Sequence, residues 1–469
     1  MKKILTILIS SLLLITINSH GQATAKYVFL FIGDGMGVNQ VYTTELYKAS
    51  LDGKIASYPL SFSYFPVQSF MTTYSADNYI TCSSASGTAI ASGYKTKNGV
   101  INMDTSLTIK YETIAEKAQK AGYKVGIVSS AAVDHATPAC FYAHKKSRYL
   151  YDDIAMELFK SNFDYFGGGG FHNSSMIDTA NKYEYSYFNT KKEFSKLKKG
   201  DEKVIAVNPG TYSGKEYYWE IDKRVESVPL SYFTKKGIEL LDNDKGFFMM
   251  VEGGKIDWSL HSNDAATTIH EILAFDDAVK EALKFYEKHK DETLIIVTAD
   301  HETGGMGLGN NTIFDKLNLK VLQHQKISHQ EFERKIKNLK KQKREVSFSE
   351  VLDSVKSNFG LGDKEKGLAL TDDEKSWLFE AYNKQFLGKK EAKPDKDYLN
   401  YDFDIPLTYR AIKILNSKAG IAWTTVEHTA SQVPVSVIGG GQEYFKSSID
   451  NTDIAKIIMK VMQLNQDKK

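Results

Sequence analysis

Asp257-Trp-Ser-Leu-His261 sets a carboxylate and an imidazole four residues apart. On a helical turn that spacing puts both on one face, where they can grip a single cation. Asp300 and His301 are neighbours, Asp34 stands between two glycines, and Glu252 precedes a Gly-Gly pair. Singly, each has an ordinary reading as a surface ion pair or a turn residue. Their shared setting changes that. All follow short apolar runs that read as buried strands, and acids and imidazoles gathered at a buried edge are costly unless cations occupy it. The chemistry that fits is capture of divalent metal by carboxylate oxygen and imidazole nitrogen.

The elements that must position these residues are readable too. Runs rich in β-branched and aromatic residues at 27–32, 125–128, 247–251, 294–297 and 433–438 predict strands buried on both faces. Helical patterns lie between them, at 111–121 and from about 265 to 289. The alternation predicts an α/β fold, a three-layer sandwich with a large, mostly parallel central sheet flanked by helices. Ligands bind beyond the carboxyl ends of such strands. Asp34, Asp134-His135, Glu252 and Asp300-His301 all fall there. The glycine runs 166–170 and 439–441 lack a following Gly-Lys-Ser/Thr, so they predict tight strand-end turns and not nucleotide loops.

The chain has 469 residues, 42% hydrophobic and 25% charged, which excludes a disordered or fibrous protein. Its formal charge is only +2, so it carries no electrostatic footprint for a dedicated nucleic-acid partner. Lys2 and Lys3 precede an apolar run over 4–17 and then small and polar residues. That pattern predicts a signal peptide over 1–22 and an exported protein, periplasmic or secreted. The run is shorter than the ~20 residues a membrane span needs, and no later stretch qualifies. Cys82 and Cys140 read as two free small hydrophobes. Residues 182–229 are rich in Tyr and Lys with little periodicity, whereas 317–396 are dense in Lys, Glu and Gln at helical spacing. The second region predicts a helical insertion within a catalytic domain spanning 26–469, decorating the sheet without building it. His144, His172, His270, His289, His324 and His329 match no ligand position and are expected to be structural or exposed.

Phe31-Ile-Gly-Asp34-Gly-Met-Gly and Cys82-Ser83-Ser84-Ala85-Ser86-Gly87-Thr88-Ala89 resemble motifs of the alkaline phosphatases. So do His135-Ala-Thr137-Pro-Ala with Arg148 beyond, Glu252-Gly-Gly-Lys-Ile-Asp257-Trp-Ser-Leu-His261, Thr298-Ala-Asp300-His301 and Glu427-His428-Thr429, all in the family's order. The resemblance implies two zinc ions and one magnesium. By position, Asp257, His261 and His428 would hold one zinc, and Asp300, His301 and Asp34 the second. Asp34, Thr137 and Glu252 would hold the magnesium. It also implies hydrolysis of small-molecule phosphate monoesters to alcohol and inorganic phosphate, through a covalent phosphoserine on Ser83. The second zinc would activate Ser83 and the first would stabilise the leaving oxygen, a clamp with metals ~4 Å apart. Arg148 would hold two phosphoryl oxygens through its guanidinium fork.

The sequence departs from many family members in three places. Cys82 precedes the nucleophile where many have aspartate, so Arg148 is expected to be held less tightly. His135 stands where some have Asp and others His, which bears on the third metal. Trp258 replaces Lys or His and is expected to meet substrate or water by stacking or through its indole N–H. An alternative is a phosphodiesterase or sulfatase on the same metal platform. Arg148 argues against the first, and no Pro or Arg follows Cys82 or Ser84 in a sulfatase register. A homodimer is a further family expectation, with the insertion serving an interface or capping the site.

Overall fold

A computed structural model describes residues 24–464, apart from 213, 223, 313–315, 343–344 and 389–405. The expected signal peptide and the 389–396 end of the expected insertion lie outside the described residues. Ten strands form the main sheet. In chain order they are β1 (Tyr27–Gly33), β2 (Val67–Thr72), β3 (Lys124–Ser129), β4 (Tyr165–Gly168) and β5 (Ser186–Phe188), then β6 (Val204–Val207), β7 (Phe247–Gly253), β8 (Thr293–Thr298), β9 (Val433–Gly439) and β10 (Ile449–Asp450). Across the sheet they run β10-β2-β9-β8-β1-β7-β3-β4-β6-β5. Only β9 is antiparallel to its neighbours. The fold is the expected α/β arrangement around a mostly parallel sheet.

The central strands β1, β7 and β8 are buried along their whole length, as runs of Phe, Ile, Val and Met demand. Helices Leu230–Leu241 and Ala265–Tyr286 pack together and against the central strands, while Asn451–Val461 packs on Ser83–Ser92 and Ile114–Lys120. Register then decides the site. Ile32 of β1 pairs with Glu252 of β7 on one side and Thr298 of β8 on the other, and Ser129 of β3 also pairs with Glu252. Asp34, Glu252, Asp300 and the loop after β3 therefore emerge at one edge.

The aperiodic region 182–229 supplies β5 and β6, which build the far edge of the sheet. At three and four residues these strands are too short to show a pattern. Region 317–396 is helical where described, with His329–Gln342, Phe348–Phe359 and Asp372–Leu387 all packed on the helix Pro406–Ala419. Ser347 with Glu350 and Thr371 with Glu374 form capping boxes that start the second and third of these helices. Among the described residues none of this region joins the main sheet.

Candidate active site

Asp34 follows β1, and Gly35 beyond it has φ +72°, a left-handed turn open to glycine. A side chain at Gly35 would sit 2.8 Å from Asp257 Oδ1, so the turn also lets two acidic loops close on each other. Asp257 and His261 lie on the short helix Lys255–His261, as their spacing predicts, with Asp257 Oδ2 3.2 Å from His261 Nε2. Asp300 and His301 follow β8, and His301 Nε2 lies 3.4 Å from Asp34 Oδ1 and 3.3 Å from Asp300 Oδ2. His428 arrives by a separate device. A short antiparallel bridge pairs Thr303 with His428 and Glu302 with Thr429, and it stacks the His428 ring on His301 at 3.6 Å.

The histidines are oriented from behind. His261 Nδ1 meets Val426 O at 2.5 Å, His428 Nδ1 meets Thr81 O at 2.8 Å, and His301 Nδ1 meets Thr303 Oγ1 at 3.2 Å. Each Nε2 is thereby turned toward the carboxylates, the arrangement metal-ligating histidines use. Two groups have ligand atoms close enough to hold an ion: Asp34, Asp300 and His301, and Asp257, His301 and His428. The first is the expected second-zinc set. In the second, His301 stands beside Asp257 and His428 because the two imidazoles stack, while His261 Nε2 meets Asp257 Oδ2 and its ring lies 5.1 Å from that of His428.

Asp34 Oδ1, Asp300 Oδ2 and Glu252 Oε1 are buried without a hydrogen-bond partner. Such atoms are costly in a protein interior, and oxygen-seeking cations satisfy them, so the residues present fit divalent metal. The electrostatics agree. Burial first, and then Asp300, Asp257 and Glu252, push the Asp34 carboxyl well above the usual range. Burial and Asp257 lift Asp300 to about 7, and burial lifts Glu252 to about 7. Burial also acts on Asp257, but His261, His428 and His301 outweigh it and hold that carboxylate well below its ordinary value. Glu252 accepts a hydrogen bond from Ser129, and Thr137 Oγ1 lies 3.5 Å from Asp34 Oδ2. The expected third set is thus gathered at the junction of β1, β3 and β7.

Ser83 opens the helix Ser83–Ser92, is 2% exposed, and sets its Oγ 3.3 Å from His301 Nε2. The first amides of a helix lack acceptors within it, so this turn favours an anion. Arg148 faces Ser83 across a cavity of about 620 Å³ that also takes in Cys82, His135, Tyr149, Tyr151, Asp257, Trp258, His261 and His428. Cys82 does not hold the arginine. Its sulfur accepts from Gly99 N and meets Ser84 Oγ, both at 3.1 Å. The guanidinium rests on His135 instead, with Nη2 3.3 Å from Nε2, and Arg148 N donates to Gly99 O. Both cysteines are free.

Sequence reasoning missed several contributors. Thr303 donates to Asp257 Oδ1 at 2.6 Å, a contact that depends on the Gly35 turn. His172, expected to be structural or exposed, binds Asp134 Oδ1 through Nδ1 at 2.6 Å and stacks on Tyr151 beside the cavity. It reaches there because the run 167–170 lies against neighbouring backbone: a Cβ on Gly168 would fall 1.9 Å from Ser129 O. That run is strand end and turn, as expected. His329, expected to be structural or exposed, has a structural place, contacting Ser262 and Asp264 beside the helix Lys255–His261.

The alkaline phosphatase family model matches residues 25–163 and 159–464. Alkaline phosphatase 3 of Bacillus subtilis is 32% identical over 460 residues, covering 95% of this chain and 90% of that protein. Alkaline phosphatase of Escherichia coli is 31% identical over 339 residues, covering 61% of this chain and 71% of that protein. Among solved structures, the cold-active alkaline phosphatase of Shewanella sp. superposes with a TM-score of 0.77 at 27% identity, covering 93% of this chain and 99% of that one. The enzyme of the Antarctic bacterium TAB5 gives 0.64 at 25%, covering 95% and 100%. With that site and those relatives, the chain belongs to the alkaline phosphatase family and is a phosphoric monoester hydrolase.

Proposed function

We propose that this exported phosphomonoesterase works through a phosphoserine on Ser83, with Arg148 as the phosphate clamp. The observation that carries the proposal is the Ser83 hydroxyl 3.3 Å from His301 Nε2, at a cluster of buried carboxylates and facing an arginine. Asp257, His261 and His428 would hold one zinc, Asp34, Asp300 and His301 a second, and Asp34, Thr137 and Glu252 a magnesium. Bound there, divalent cations supply Lewis-acid charge where oxygen anions develop. Arg148 binds two non-bridging oxygens and orients the phosphorus toward Ser83 Oγ. The Ser83 oxygen bonds to phosphorus as the ester oxygen leaves, and water then cleaves the phosphoserine. His135 keeps the guanidinium aimed. Structures of the TAB5 enzyme with a histidine changed to Glu or Asp carry magnesium in the site named M3. That supports an oxygen-lined third site here, with His135 beside it as the residue that tunes it.

The test is turnover of p-nitrophenyl phosphate against bis-p-nitrophenyl phosphate by the mature protein. Zinc and magnesium are added, and EDTA and Ser83→Ala serve as controls. A strong monoester preference, lost with EDTA and with Ser83→Ala, is expected. A diester preference would show that the Arg148 clamp is misassigned.

A further inference from the structure

Recognising a phosphoryl group calls for Arg148, the helix terminus and cations; it does not call for a wall of aromatic rings. Yet a continuous chain of rings runs along one side of the cavity. Trp258 meets His135 edge-on, with centroids 5.6 Å apart at 88°. His135 lies nearly parallel to His172 at 6.2 Å, and His172 is stacked on Tyr151 at 3.6 Å and 12°. Tyr151 in turn meets Tyr149 edge-on at 6.5 Å. The rings are fixed and not merely adjacent. Asp134, 1% exposed, accepts from both His172 N and His172 Nδ1. Lys255, also 1% exposed, brings its ammonium 5.0 Å from the Trp258 ring and 3.5 Å from Trp219.

The outer end of this chain is unfilled by protein. Tyr149 is 72% exposed although it lines the cavity, and Ile80 of the same lining is 43% exposed. The cavity, about 620 Å³, is of the size that takes a drug-sized ligand and exceeds what inorganic phosphate fills. Tyr149 is the residue after Arg148 and Tyr151 the third after it, and all three line the same cavity. A phosphate held by that guanidinium therefore shares its cavity with Tyr149 and with the side of Tyr151 that His172 leaves uncovered. Rigid aromatic surfaces of this kind favour another planar ring over a saturated group of the same size.

We infer that the leaving-group side of the site selects phosphate monoesters whose alcohol carries a planar ring, aryl or heteroaryl, bound against Tyr149 and Tyr151. The inference rests on the phosphomonoesterase reading above and adds a substrate class to it. The test compares kcat/KM for benzyl phosphate and cyclohexylmethyl phosphate, whose alcohols are alike in acidity and bulk and differ in planarity. A second pair, adenosine 5′-monophosphate and ribose 5-phosphate, separates a nucleobase from a simple aryl ring. A preference of about three- to tenfold for the ring-bearing member of at least one pair is expected. It should fall toward unity in Tyr149→Ala, an exposed position where folding is not at stake, and in Tyr151→Leu. Equal kcat/KM within both pairs, or a preference that survives both substitutions, overturns the ring inference while the monoesterase stands. Turnover of no probe overturns both.

Discussion

Asp264 and Asp34 are 0% and 1% exposed, and the protein treats the two carboxylates differently. Asp264 caps the helix Ala265–Tyr286 and accepts from Thr267 N at 3.1 Å, Thr267 Oγ1 at 2.7 Å, Gln325 Nε2 at 2.8 Å and His329 N at 3.0 Å. Although burial acts against it, those donors and His329 hold its carboxyl below the ordinary value. Asp34 accepts one long hydrogen bond, from Thr137, leaves Oδ1 without one although His301 Nε2 lies 3.4 Å away, and is pushed upward by burial and by neighbouring acids. A buried acid surrounded by N–H and O–H groups is part of the scaffold. One surrounded by other acids is a place kept for a cation. The first kind contributes stability by itself; the second withholds it until metal arrives.

The sharpest break in the comparison comes from neutralising each acid. Asp34→Asn should lower phosphatase turnover roughly a thousandfold or more. Yet it should leave the chelated protein at least as stable as the chelated parent, since it removes a repelled charge. Kinetics with added zinc and thermal melts in EDTA decide this, and a melt well below the parent's would break the distinction. Asp264→Asn should instead cost about 2–3 kcal/mol in urea unfolding, with metal or without it. Equal stability in EDTA would place Asp264 with the metal set.

His329 extends the contrast. Ser262 Oγ lies 3.1 Å from His329 Nε2, and His329 Nδ1 lies 3.2 Å from Asp264 Oδ2. That is the bonding order of a nucleophile, a base and an orienting acid. Ser262, however, caps the carboxyl end of its helix, where carbonyl dipoles disfavour a developing oxyanion. The group works as a strut between the helix His329–Gln342 and the helix bearing Asp257 and His261. His329→Ala should cost about 1–2 kcal/mol and His329→Gln less, measured by urea midpoint.

The smallest effect is a pH response away from the metals. Burial would lower the pKa of His144, but Glu116 and Glu157 outweigh it and lift the group to about 9. Glu157, raised by burial, is brought down to about 2 by bonds from His144 and Lys145. The histidine's contribution is complete below its unfolded pKa of ~6.5 and is lost as pH rises through about 9. The glutamate's is complete above ~4.3 and is lost as pH falls through about 2. The His144→Gln variant should show a flatter decline in unfolding free energy between neutral and alkaline pH, by about 1 kcal/mol, read from urea unfolding at each pH. An unchanged slope would remove His144 from the account.

The strands at 27–32, 125–128, 247–251, 294–297 and 433–438 were legible because burial on both faces writes a continuous apolar run. β2 was not, since Val67-Gln-Ser-Phe-Met-Thr alternates and faces outward at every second residue. The metal-directed acids and histidines were legible because their types are unusual at strand ends. The brace on Arg148 was not. Cys82 suggested a loosened arginine, while the actual contact comes from His135, a residue read only for its bearing on metal. The ring wall was illegible for the same reason. The glycine run announces the turn that carries His172, but nothing in the sequence says that the ring then stacks on Tyr151.

The bridge that pairs Thr303 with His428 also sets a timetable. Asp34 leaves the first strand of the chain, whereas His428 belongs to nearly the last stretch before the carboxyl terminus, and the helical insertion lies between Asp300 and it. During synthesis, an incomplete chain can therefore assemble much of its sheet and still lack the imidazole that stands beside Asp257 and His301. Closing that long loop carries an entropic toll, which cation binding would help offset. Resistance of nascent fragments to proteolysis should appear abruptly, once the polypeptide extends past Val461 and β9, which joins β2 to β8, and the helix Asn451–Val461 are in place. Metal uptake would then mark completion of the molecule.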